Sequence, residues 1–238
     1  MMFRPFPVMT LFAIPSLILL LWLGQWQLQR AEWKVGLIDA FRNEAVRPPV
    51  DVSDAFRDLR VCSNPPCDVA SNYPSGPFLP VEPLNERSIR LFGNDLQARP
   101  GWRIFQAAQI GEETSTSQQP SILVETKFEP LSGAASSNVS MLKTAPIPPR
   151  GTYAADNNLE ANEWYWFDLA ALKDEFGEAL DETVMLVAFD PNQLPANLTR
   201  TPPAQHIGYA VTWYGMAIAL IVLYGAFHAR AGRLRFRK

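Results

Sequence analysis

Two long apolar segments stand near the ends of the chain, and a polar region lies between them. Residues 5–29 contain no Asp, Glu, Lys or Arg, and residues 201–229 contain none either. A helix needs about 20 apolar residues to cross the hydrocarbon core of a bilayer. The pattern therefore predicts two transmembrane helices, over residues 7–29 and 206–228.

The first apolar segment becomes amphipathic after residue 29 without a proline or a turn signal. Apolar residues continue at helical spacing to about Ala45, and Pro48 and Pro49 follow. We therefore expect the helix to continue beyond the membrane. A small-residue cleavage site does not follow the apolar run, which favours an uncleaved anchor over a signal peptide.

The middle of the chain alternates short apolar runs with Gly, Pro and Ser, a pattern that predicts strands. Asp168 is placed to cap a helix that ends at Gly177. The predicted fold is α+β: an antiparallel β-sheet or barrel-like domain with a packed helix, over residues 30–205, flanked by the two membrane helices. The predicted strands are 88–92, 102–110, 121–128, 139–144 and 183–189, with an aromatic strand or turn at 164–167.

The charges are distributed unevenly. The chain has a formal net charge of −3, but residues 30–200 hold all 24 acidic and 15 of the 21 basic residues, a net charge of −9. Arg4 and the tail after residue 229 carry the other bases. By the positive-inside tendency, residues 1–6 and 229–238 are predicted to be cytoplasmic and the middle domain extracytoplasmic. An acidic domain with a short basic tail also argues against a nucleic-acid partner.

The two cysteines, Cys62 and Cys67, are separated by four residues in a proline-rich stretch. In an oxidising compartment such as a bacterial periplasm, such a pair predicts a disulfide. A copper site is the alternative, although no His or Met stands nearby as a further ligand.

Catalytic patterns are not found in the sequence. The two histidines, His206 and His228, stand at the two ends of the second apolar segment, so a His-based triad or zinc site in the middle domain is not available. The sequence contains neither a P-loop nor a dinucleotide fingerprint. We therefore expect a non-enzyme.

Aromatic and basic residues gather where each apolar segment meets the middle domain. Trp26, Arg30 and Trp33 share a helical face, with Lys34 one turn from Arg30. Such a cluster most commonly anchors a helix at the membrane surface. In the second segment, His206, Tyr209 and Trp213 fall at i, i+3 and i+7 on one face. An interfacial histidine is usually only a polar residue, but neutral imidazole is also a good axial ligand for haem iron.

Three motifs in a fixed order resemble the surfeit locus protein 1 family. The first lies at the end of the first apolar segment, the second is Asn162 to Asp168, and the third is His206 to Trp213. One departure concerns the Asn-Arg-Gly-Trp segment of the family, because here the strand at 122–124 runs into Glu125 to Pro130 without the Arg-Gly. The fixed positions of the first motif are all present: Leu23, Gly24, Trp26, Gln27, Arg30, Trp33 and Lys34.

The resemblance implies an assembly factor of haem-copper cytochrome c oxidase in the bacterial inner membrane. Its cofactor would be haem a, and its partners would be membrane lipid, the large oxidase subunit and haem a synthase-type proteins. The histidine of the third motif, here His206, would be the axial ligand of the haem iron.

If the two motif-bearing helices lie side by side, the other motif residues surround the same haem. Tyr209, Trp213, Trp26 and Trp33 would form apolar walls, and Arg30 and Lys34 would meet the propionates. The alternative is a structural membrane partner that stabilises an oxidase subunit or assembly intermediate without a cofactor. The two hypotheses differ at His206, because only the first needs an axial nitrogen there.

Overall fold

The computed structural model describes residues 2–3, 5–56, 73–110 and 120–235. The chain divides into a helical unit of residues 1–40 and 197–238, and a sheet domain of residues 41–196. Cys62 and Cys67 lie outside the described residues. The helices among the described residues are α1 (Pro7–Ala45), α2 (Val52–Ala55), α3 (Leu169–Phe176), α4 (Ala196–Thr199) and α5 (Pro203–Arg230).

The first apolar segment forms α1, a single helix of 39 residues with Pro15 inside it. Membrane helices tolerate an internal proline. At 1.5 Å per residue α1 is about 58 Å long, whereas the hydrocarbon core of a bilayer is about 30 Å thick. The predicted continuation of this helix beyond residue 29, as far as Ala45, is confirmed.

The second apolar segment forms α5, which begins with Pro203 at its first position, where a missing N–H costs nothing. By length and composition, α1 and the stretch Ala196–Arg230, which contains α5, could each cross a membrane. Only 6% and 11% of their most apolar windows are buried against protein. These helices are therefore unlike the core helices of soluble domains.

The two long helices pair in antiparallel fashion within the helical unit. Near one end, the hydroxyl oxygens of Thr10 and Tyr224 lie 2.5 Å apart. Towards the other end, Gly24 faces the ring of Tyr214. Small buried residues line the contact, as is usual where membrane helices approach closely. They are Gly24, Ala31, Ala210 and Ala217.

The sheet domain contains the predicted strands. The described strands match the predicted ones closely, and a two-residue strand at 163–164 replaces the aromatic strand or turn. In chain order they are β1 (Met2–Phe3, in the helical unit), β2 (Ile89–Asn94), β3 (Pro100–Gln109), β4 (Ser121–Pro130), β5 (Ser137–Asn138), β6 (Leu142–Pro146), β7 (Glu163–Trp164), β8 (Leu180–Ala188) and β9 (Leu234–Arg235, paired with β1).

The sheet is mixed, so the prediction of an antiparallel sheet is wrong at two pairs of strands. The order is β6-β8-β4-β3-β2-β7, with β5 beside β4. The β4–β8 and β2–β7 pairs are parallel. A parallel pair needs a long crossover, and the chain between β4 and β8 supplies one that includes α3. Among the described residues the strand order is an open path, and no pairing joins β6 to β7 to close a barrel.

Helix α3 begins and ends where the sequence predicts. The Asp168 carboxylate accepts hydrogen bonds from the backbone N–H groups of Ala170 and Ala171, at 3.2 and 3.4 Å. Gly177 follows the last turn with a φ of 103°, a conformation that glycine adopts without strain. The predicted cap and stop signals are confirmed.

Both faces of the sheet are covered. On β4, Leu123 belongs to one apolar cluster, with Leu172 of α3, and its neighbours Ile122 and Val124 belong to the other, with Val52 of α2. Side chains alternate between the faces of a strand, so β4 is buried on both sides. This is the usual state of strands in parallel arrangements.

Candidate functional site

The first and third motifs meet within the helical unit. Nδ1 of His206, in the first turns of α5, lies 2.9 Å from Oε1 of Gln27 on α1. An amide oxygen only accepts hydrogen bonds, so Nδ1 carries the proton and donates it. In the neutral imidazole, Nε2 then has an unprotonated lone pair. Among the described residues, Nε2 has no hydrogen-bond partner in the protein.

A close helix approach brings these two residues together. A Cβ on Gly24 would lie 2.8 Å from two carbons of the Tyr214 ring, so glycine permits this contact. Gln27 lies one turn further along the same face. Both are fixed positions of the first motif. Sequence reasoning assigned neither a role, although their fixed spacing from Trp26 was the available signal.

Ideal helix geometry places aromatic residues of both helices on one flank of this contact. At about 100° per residue, Trp26, Arg30 and Trp33 lie on one flank of α1 relative to Gln27, and Tyr209 lies on the equivalent flank of α5 relative to His206. In an antiparallel pair whose helices touch at Gln27 and His206, these flanks face the same way. Trp26, Trp33 and Tyr209 are about half exposed, and Trp213 is partly buried.

Arg30 lies on this flank as an exposed cation. Its guanidinium carbon is 3.9 Å from the centroid of the Trp33 ring. Stacking uses the flat face of the guanidinium and leaves its in-plane N–H donors along the edge. Within the described part of the chain, Arg30 has no recorded ion pair with a carboxylate. It can therefore receive an anionic group.

Lys34 is placed differently from Arg30. It is buried, with 7% exposure, and its ammonium donates a hydrogen bond to the backbone oxygen of Asn197 at 2.6 Å. From the sequence, we expected both Lys34 and Arg30 to bind the haem propionates. In the structure Lys34 is buried and bound to the backbone of α4, whereas Arg30 remains exposed.

The second histidine, His228, is fully buried near the opposite end of the helix pair. The backbone N–H of Phe6 donates to its Nε2 at 3.1 Å, and its Nδ1 lies 2.8 Å from the backbone oxygen of Tyr224. Both ring nitrogens therefore have protein partners. Of the two histidines, only His206 presents a nitrogen without one in the described structure.

The second motif belongs to the sheet domain and holds strands together. The Asn162 side chain accepts hydrogen bonds from the N–H of Arg90 and from the Trp164 indole, and it donates to the backbone oxygen of Ser88. These bonds attach β7 to β2. Trp164 is buried in the core, and Asp168 caps α3. This motif therefore has a structural explanation.

These features define a class of protein: two antiparallel candidate membrane helices with an accessible imidazole at their contact, and a mixed-sheet domain between them in the sequence. The SURF1 family model matches residues 14–218. The chain therefore belongs to the SURF1 family.

Curated relatives cover most of the chain. It is 24% identical over 222 residues to Surfeit locus protein 1 of Gallus gallus, a match that spans 85% of this chain and 69% of that protein. It is also 24% identical to Surfeit locus protein 1 of Homo sapiens over 236 residues, or 85% of this chain and 71% of that protein. The match to the same protein of Takifugu rubripes is 24% over 223 residues and spans 83% and 87%.

Proposed function

We propose that this chain is an assembly factor for haem-copper cytochrome c oxidase that binds haem a and assists its insertion into the large oxidase subunit. One observation carries the proposal: the two membrane-end motifs meet at His206, and Nε2 of that residue is left as a lone-pair donor. Membership of the SURF1 family supports the same function. In this proposal haem a is a cargo, and the chain has a binding rather than a catalytic role.

The residues at the junction fit one axial ligand and a surrounding apolar wall. A neutral imidazole nitrogen is a common ligand of haem iron. Trp26, Trp33 and Tyr209 supply exposed apolar surface on one flank of the helix pair, and Trp213 lies partly buried two turns along α5 from His206. Haem a also carries propionates, and Arg30 offers them in-plane N–H donors for charge-assisted hydrogen bonds.

Lys34 has a different part in this proposal from the one that its sequence position indicated. Its ammonium is bound to the Asn197 carbonyl and buried. We therefore assign it to holding the end of the helix pair in place, and Arg30 to the anionic groups of the cargo.

The proposed location is a bacterial inner membrane, with both termini cytoplasmic and the sheet domain extracytoplasmic. The basic ends and the acidic middle region support this orientation. The proposed partners are the large oxidase subunit and haem a synthase-type proteins, with membrane lipid around the two helices.

The experiment is complementation of a strain that lacks the gene, with the haem a content of its purified oxidase as the readout. We expect the wild type to restore the haem a content and the His206→Ala variant to fail at equal membrane abundance. Gln205→Ala is the matched control, because Gln205 is the exposed neighbour of His206. If His206→Ala restores the haem a content fully, the structural-partner alternative is favoured instead.

A further inference from the structure

We propose that Gln27 is a positioning residue that fixes the tautomer and ring orientation of His206, and that its neutral amide makes His206 a releasable ligand. The part that concerns haem rests on the proposed function. The part that concerns the tautomer rests only on the contact between the two side chains.

The contact selects one of the two neutral forms of the imidazole. Oε1 of Gln27 lies 2.9 Å from Nδ1 of His206, so this nitrogen keeps the proton and Nε2 remains a donor for a metal. Histidines that bind metals almost always donate their other N–H to a nearby acceptor, which fixes the ring. Gln27 supplies this acceptor before any cargo is present.

Rigid elements hold both partners. Gln27 and His206 lie within long helices, and Gly24, one turn from Gln27, allows the Tyr214 ring of α5 to pack closely against α1. The ring does not have to be ordered when the cargo arrives, so less conformational entropy is lost on binding.

The chemical nature of the acceptor also matters. A carboxylate in this place would draw the proton from Nδ1 and make Nε2 a stronger electron donor, which tightens the bond to iron. A carboxamide has no net charge and polarises the N–H less. A neutral partner therefore suits a protein that must pass its cargo on, whereas a carboxylate would suit permanent retention.

The first arm of the test needs no haem. The chain has two histidines, so ¹⁵N-histidine NMR of the detergent-purified full-length protein gives two sets of ring signals, and His206→Ala assigns them. We expect His206 to be protonated at Nδ1 in the wild type and to shift towards the Nε2-protonated form in Gln27→Leu. An Nε2-protonated His206 in the wild type, or no change in Gln27→Leu, would overturn the positioning role.

The second arm uses protein purified from cells that synthesise haem a. Loss of a ligand's hydrogen-bond partner typically lowers metal affinity about 10–100-fold, and we expect a loss of this size in Gln27→Leu. In Gln27→Glu we expect a lower midpoint potential and about tenfold slower transfer of haem to apomyoglobin. Gln29→Glu, an exposed position on the same helix, adds the same charge without the contact and should match the wild type.

The two arms separate failure of this inference from failure of the proposed function. Identical potentials and transfer rates in the wild type, Gln27→Leu and Gln27→Glu would contradict the releasable-ligand role while leaving haem binding intact. A wild type that carries no haem a, but shows the expected tautomer, would contradict the proposed function and the releasable-ligand role together. The positioning of His206 would then stand alone.

Discussion

The Arg103–Glu125 ion pair joins strands β3 and β4 in the sheet domain. Glu125 is 3% exposed, and its carboxylate accepts two hydrogen bonds from the Arg103 guanidinium, at 2.9 and 2.5 Å. It also accepts the N–H of Ala188 at 2.8 Å. One carboxylate therefore links β3, β4 and β8, three adjacent strands of the sheet.

Replacing Glu125 with glutamine should destabilise the sheet domain. The variant keeps the shape of the side chain but leaves the Arg103 charge without its counter-charge. We expect the free energy of unfolding to fall by about 1.5–3 kcal/mol, the range for a hydrogen bond to a charged group. Urea unfolding of the detergent-purified protein, followed by tryptophan fluorescence, measures this change.

Glu129→Gln is the control for this prediction. Glu129 pairs with Lys127 at 3.0 Å, but both side chains are more than a third exposed. Exposed pairs contribute about 0–1 kcal/mol. Equal losses in the two variants would mean that the burial of Glu125 has no energetic consequence.

The sequence predicted the residues of the candidate site better than their contacts. His206 and the Trp26, Arg30 and Trp33 face follow from helical spacing and from motif order. The Gln27 contact and the burial of Lys34 depend on how the two helices rotate against each other. Packing between residues 163 to 179 positions apart sets that rotation, and a periodic pattern within one segment carries no information about it.

At the scale of elements, local signals predicted the strands and α3 almost completely. Alternation, turn residues and the Asp168 cap act over a few residues and can be read directly from the chain. The direction of strand pairing could not be predicted in this way. The β4–β8 pair is parallel because residues 131–179 return the chain to the same end of the sheet, which is a property of the whole path.

The ion pair between α3 and β8 predicts that the stability of the sheet domain changes with pH in the alkaline range. The Lys173 ammonium on α3 pairs with Glu182 of β8 and lies 3.7 Å from Glu178. The hydrogen bond to Glu182 is the main cause that raises the pKa of Lys173 above its ordinary value of 10.5. A raised pKa in the folded state means that the charged lysine stabilises the fold.

The stabilisation by Lys173 should be fully present below pH 10.5 and be lost as the pH rises through the higher pKa of the folded state. Thermal unfolding of the wild type and Lys173→Met across this range measures it. We expect a constant difference at neutral pH that disappears at strongly alkaline pH, and Glu182→Gln should behave in the same way. A difference that grows with pH would contradict the assignment.

At the scale of the whole molecule, the charge asymmetry predicts the membrane topology. Alkaline phosphatase fused after Gly133, in an exposed turn of the sheet domain, should be active, because this domain is proposed to be extracytoplasmic. The same enzyme fused after Lys238 should be inactive. An active fusion at the C-terminus together with an inactive one at Gly133 would indicate the opposite orientation. It would also remove the basis for a Cys62–Cys67 disulfide.

We propose above all that His206, at the contact of the two candidate membrane helices, binds haem a. The most direct test of this claim is the absorption spectrum and extracted pigment of the detergent-purified protein, made in cells that synthesise haem a. We predict haem a in the wild type and in Gln205→Ala, and its loss in His206→Ala at the same protein yield. The same quantity of haem a with the same axial ligation in His206→Ala would contradict the claim.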